Sequence, residues 1–161
     1  MKQHWFDAHG KRMPARPLLF LSLLLLLAAC ARVPSPKALT GDALRIENPI
    51  GRPATVGQNS AAYFTIVNPT GTDDRLLSAT SQVAMVTEVH ETQNDNGVMR
   101  MIHQAHGVAV PARSSVDFVP GGKHVMLMDL RQALAAGQSF TLTLSFANAG
   151  TMAVTIPVMN Q

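Results

Sequence analysis

GGKHVMLMDL, residues 121–130, carries the reading of the fold. Two glycines open it, and a period of two follows: His124, Met126 and Met128 point one way, and Val125, Leu127 and Asp129 the other. That alternation predicts a β-strand with two unlike faces. Valine or isoleucine would pack a sheet better than the first of these faces does. Methionine is an adaptable filler of irregular cores, and a histidine at a strand start can simply sit half exposed. The same face could equally be a set of soft ligands, and the rest of the chain has to decide.

Similar runs recur along the sequence, at 43–47, 61–67, 75–79, 84–91, 98–103, 108–110, 115–119, 139–146 and 151–158. Turn residues separate them: NPTG at 68–71, NDNG at 94–97, PGG at 120–122 and NAG at 148–150. Only LRQALAAG, residues 130–137, predicts a helical turn, with Gly137 as its stop. About ten short strands in one small domain predict an all-β, antiparallel sandwich or barrel.

The N-terminus reads differently. Residues 17–29, PLLFLSLLLLLAA, form an apolar run too short to span a bilayer comfortably and closed by small residues, as in a secretory signal. Leu27-Ala28-Ala29-Cys30 resembles the lipobox of bacterial lipoproteins, in which the cysteine is lipidated and becomes the mature N-terminus. The expected organisation is a signal peptide at 1–29, with Met13 as an alternative start, then a lipidated Cys30 and flexible tether over 30–41, and a β-sandwich domain over 42–161. Four of the 13 basic residues and one of the 10 acidic ones precede Cys30, which leaves nine of each in the mature chain. A formally neutral protein gives no reason to expect a nucleic acid partner. Cys30 is the only cysteine, so the folded domain has no disulfide, thiolate cluster or nucleophilic cysteine to offer.

A second His/Met face lies in EVHETQNDNGVMRMIH, residues 88–103. His90 precedes the turn at 94–97, and the return strand carries Met99, Met101 and His103 on one face. If the strand at 124–130 folds beside this hairpin, imidazoles and thioethers gather in one patch. Neutral nitrogen and sulfur donors without thiolate favour Cu(I) over magnesium, calcium or structural zinc. Thioethers need no deprotonation, and unlike cysteines they do not pair into disulfides in an oxidising compartment. A blue-copper centre would need a cysteine thiolate, and Cys30 is committed elsewhere. Met99 and Met128 are expected as packing residues, Met85 on the opposite face, and His103 and His106 as solvated loop residues. Strand parity turns Glu91 and Asp129 away from the histidines, and Asp73, Asp74 and Asp95 belong to turns.

The spacing of His90, ten residues, Met101, and then His124-Val125-Met126 resembles the motif of the PCu(A)C periplasmic copper chaperones. VTEVHET, GVMRM, VPA, PGGKHVMLMDL and AAYFTIVN resemble that family's text as well. Between Met101 and His124 lie 22 residues where the family pattern has 21, and the extra residue falls in HQAHG, residues 103–107. The resemblance implies a cupredoxin-like Greek-key β-sandwich that binds Cu(I) through His90, Met101, His124 and Met126, with Cu(II) at an auxiliary site as a further expectation. It implies a monomeric periplasmic chaperone and no enzyme, anchored through Cys30, with the outer membrane favoured because Ala31 is not aspartate. Its partner would be a copper-receiving protein, such as an oxidase subunit or another copper chaperone, with the binuclear centre of cytochrome c oxidase as one destination. A structural or interaction lipoprotein and a copper-sequestering resistance protein are the alternatives.

Overall fold

The computed structural model describes residues 42–160. The expected signal peptide, Cys30 and the whole of the tether lie outside them. Ten strands follow one another: β1 Arg45–Gly51, β2 Ser60–Asn68, β3 Asp74–Thr80, β4 Ala84–Asp95, β5 Val98–His103, β6 Val108–Val110, β7 Ser114–Phe118, β8 Lys123–Leu130, β9 Ser139–Phe146 and β10 Thr151–Pro157. Each corresponds to a run expected from the alternation, and β4 continues four residues further, to the tip of its hairpin.

The strands form two sheets, ordered β1-β2-β7-β8-β4-β5 and β10-β9-β3-β6. The chain crosses from one to the other between β2 and β3 and returns between β3 and β4, so strand order departs from chain order as in a Greek key. Pairing between strands is antiparallel apart from one parallel contact between β7 and β8 at Phe118 and Lys123, and a lone parallel bridge joins Gly51 at the end of β1 to Val158. The sandwich expectation therefore holds.

The apolar face of each strand meets the other sheet. Phe64, Ile66, Phe118, Val125 and Leu127 of the first sheet and Leu76, Leu142, Leu144, Phe146 and Ile156 of the second share one core. Phe64 and Phe118 stack with ring centres 4.6 Å apart. One polar side chain is fully enclosed. Asn68 donates to the carbonyls of Thr72 and Val110 and accepts from Thr70, so no donor or acceptor is stranded there. Asp73 and Asp74 likewise accept backbone N–H groups, from Ala112 and from Arg75, Asn148 and Ala149, which is a turn role and not a metal role.

The helical turn expected over 130–137 does not form. Leu134 instead exchanges backbone hydrogen bonds with Ala54 and is 2% exposed. Burial of one leucine and two satisfied backbone groups outweighs the helix preference of an alanine-rich run. Met99 is also not packing material: it is 59% exposed.

Two turns shape the neighbourhood of the second histidine face. Asn96 and Gly97, with φ of 53° and 89°, make the two-residue turn of the β4–β5 hairpin. Gly107, with φ of 72°, closes the 104–107 turn, and a Cβ there would sit 2.3 Å from the Leu76 carbonyl oxygen. Gly97 shares the positive φ but has open space around it. Gly97→Ala should therefore cost about 1 kcal/mol, the price of φ alone. Gly107→Ala should cost about 2–3 kcal/mol or more, because backbone must also move. Equal losses in urea unfolding would show that the close approach at Gly107 is of no consequence.

Candidate functional site

β4 runs between β8 and β5, and its register with each fixes which side chains meet. His90 lies directly opposite His124 of β8 and, on its other side, directly opposite His103 of β5. Met126 stands opposite Glu88, and Met101 opposite Thr92. All of these side chains belong to the face of the first sheet that looks away from the core, because Val89, Val125 and Leu127 occupy the other face. The two methionines thus approach His90 from opposite diagonals.

The ring centres of His90 and His124 are 6.0 Å apart, at an angle of 61°. An ion lies about 2 Å from an imidazole nitrogen, so two rings whose centres are about 5–6 Å apart can share one. Met101, His124 and Met126 line a single cavity of about 460 Å³, together with Thr92, Tyr63 and Asn59. His90 is beside that cavity, not in its wall. Met101 is 61% exposed and His124 only 7%, so the site has an open side and a closed one.

Each histidine has one nitrogen held by the protein. His90 Nε2 hydrogen-bonds Glu88 Oε2 at 2.9 Å, and its Nδ1 is buried with no partner among the described residues. His124 Nδ1 donates to the Gly122 carbonyl at 3.0 Å, which leaves Nε2 as the nitrogen with a free lone pair. A carboxylate or carbonyl behind an imidazole fixes its tautomer and orientation, the arrangement usual for metal-binding histidines. Sequence parity correctly set Glu91 and Asp129 aside, and Glu91 pairs instead with Lys123 at 2.8 Å.

The remaining candidates separate cleanly. Met128 faces Val86, one pair further from the histidines than Met126, and does not line the cavity. Both methionines are half-buried, so burial does not single out Met128 as the packing residue it was expected to be. Met85 is exposed and receives a hydrogen bond from Arg131. His106 sits in the 104–107 loop, its carbonyl bonded to Arg75, whereas His103 belongs to β5 and faces His90. Among the described residues no three histidine, cysteine, aspartate or glutamate side chains are grouped to hold a metal ion, so an ion shared by His90 and His124 would draw further donors from the thioethers or from water.

The arrangement defines a β-sandwich with a pocket of imidazole and thioether donors on one sheet face. The profile of the LpqE-like family, a family of candidate lipoproteins, matches residues 44–158, and the chain belongs to that family. A candidate lipoprotein of Leifsonia xyli subsp. xyli is 38% identical over 103 residues, 63% of this chain and 62% of that one. An uncharacterized protein of Rickettsia prowazekii is 34% identical over 102 residues, 63% of this chain and 56% of that one. The matched region thus spans about three fifths of these relatives. Among solved structures, the copper-bound PCuAC domain from PmoF2 superposes with a TM-score of 0.61 at 24% identity, over 76% of this chain and 97% of that domain. Cu(I)-DR1885 from Deinococcus radiodurans does so with a TM-score of 0.55 at 26% identity, over 73% of this chain and 80% of that one.

The hydrogen bond from His90 holds the Glu88 carboxyl below its ordinary range. Partial burial opposes this, and the charges of His103 and His90 assist it. Since the folded value lies below the unfolded one, the bond stabilises the protein above the ordinary glutamate range, and that stability is lost as pH falls through the lowered value. Glu88→Gln should flatten the acid limb of the stability profile. Long-range proton–nitrogen NMR at neutral pH should find His90 protonated on Nε2 and bare on Nδ1. The reverse tautomer would remove Nδ1 as the nitrogen offered to an ion.

Proposed function

We propose that this protein is a Cu(I)-binding metallochaperone whose cargo is held by His90, Met101, His124 and Met126. The observation that carries the reading is the orphaned, buried Nδ1 of His90 beside the free Nε2 of His124, with two thioethers on the same sheet face. A lone pair left unpaired in a buried position costs stability unless something else engages it. The donor set is neutral, soft and free of thiolate, which suits Cu(I) better than zinc or the hard dications. The fold it shares with copper-bound PCuAC domains supports the same conclusion, as does the 26% identity to Cu(I)-DR1885. The His-x10-Met spacing followed by His-x-Met agrees with it.

The geometry favours transfer over turnover. Met101 lies exposed on a hairpin while His124 is enclosed, so an incoming ligand from a partner can displace the thioether first and leave the imidazoles to release the ion last. A copper-receiving protein, such as an oxidase subunit or another chaperone, is the partner this implies, with delivery to the binuclear centre of cytochrome c oxidase as one destination. The lipobox-like ending at Cys30 and the family's candidate lipoproteins support a periplasmic, lipid-anchored location.

One Cu(I) per chain is expected, with X-ray absorption reporting both sulfur and nitrogen neighbours. Met101→Ile and Met126→Ile should each weaken Cu(I) binding by tenfold or more with the fold intact, since bulk and hydrophobicity are nearly conserved. Unchanged affinity in both would leave the methionines as packing. Cys30→Ser should abolish palmitate labelling and shift the protein out of the membrane fraction, whereas a wild-type chain that stays soluble and unlabelled would refute lipid anchoring.

A further inference from the structure

The four residues of the proposed Cu(I) set leave one imidazole on the same face unused. His103 ends β5 directly opposite His90, and their ring centres are 5.6 Å apart, closer than the 6.0 Å between His90 and His124. By the same bond-length argument this pair too can share an ion. His103 is exposed, as is every residue of β5, so an ion on its ring is open to water on the hairpin side, while His90 itself stays mostly covered. The two partners of His90 lie on different strands to either side of it, and no three imidazoles are grouped around one point among the described residues. They are therefore alternatives with His90 in common.

We propose that His103 is an alternate copper ligand, pairing with His90 on the open side of the hairpin in a nitrogen-based mode that takes Cu(II). This rests on the copper reading above and extends it to the second oxidation state. Imidazole nitrogens completed by water oxygens make the nitrogen–oxygen shell that suits Cu(II), whereas the thioether pocket on the other side of His90 suits Cu(I). The Glu88 carboxylate, bonded to His90 at 2.9 Å, adds a negative charge that favours a dipositive ion over a monopositive one. His90 serves both modes, so the chain holds one ion at a time and the partner ring reflects its charge. The extra residue in the 103–107 loop lies immediately after this strand, where it leaves the register of His103 with His90 intact.

The test uses the purified protein with Cys30→Ser in every variant, which removes the lone thiol from competition. Cu(II) binding is followed by electron paramagnetic resonance and by competition with a Cu(II) chelator, and Cu(I) binding by competition with a Cu(I) chelator under ascorbate. His103→Ala and His103→Gln should each lose one nitrogen from the Cu(II) spectrum and weaken Cu(II) at least tenfold, with Cu(I) affinity changed less than threefold. Met101→Ile should do the reverse, and His90→Ala should weaken both ions. Cu(II) spectra and affinity unaltered in both His103 variants, with Cu(I) bound normally, would overturn this inference alone. Failure of the parent protein to bind Cu(I) would overturn the chaperone reading and this inference with it.

Discussion

The pairing of β4 with β8 governs everything on the outer sheet face. Val89 opposite Val125 and Thr87 opposite Leu127 set the register on the core side, where Val125 and Leu127 are fully enclosed. Strand side chains alternate, so a slip by one residue would exchange His124 and Met126 for Val125 and Leu127. Full burial of a valine or leucine is worth about 1.5–3 kcal/mol, so such a slip would forfeit several kcal/mol and turn a histidine into the apolar core as well. The core thereby fixes His90 opposite His124 without any contact between the two histidines being needed to hold them.

β5 is governed differently. None of its residues is buried, so packing gives its register no support. That register comes from the Asn96–Gly97 turn, whose two positive φ values permit one tight reversal and so commit Asp95 to Val98, Thr92 to Met101 and His90 to His103 in sequence. Gly97 also receives an anchor, its N–H donating to Asn94 Oδ1 at 2.7 Å. The closed half of the site is thus specified by hydrophobic burial and the open half by turn chemistry.

This division explains what could be read in advance. Alternation and punctuation are local, so all ten strands, the sandwich class and the shared face of His124 and Met126 were legible. The sheet order was not, because it depends on which apolar faces meet across the sandwich. The 130–137 segment misled for the same reason: Leu134 is held by Ala54, far away in the chain. Glu88 and His103 were within reach of sequence reasoning. Parity puts Glu88 beside His90, and counting back from Asn96–Gly97 puts His103 opposite it.

The exposure of β5 also bears on how this face moves. A strand with no buried side chain, paired on one edge only, contributes little to the free energy of the core, and segments of that kind open separately from the rest of a domain. Fraying of the 92–103 arm would carry Met101 and His103 away together while His90, His124 and Met126 stay with the sandwich. Such an opening would split the candidate site down its middle, one half leaving with the hairpin arm and the other staying with the sandwich.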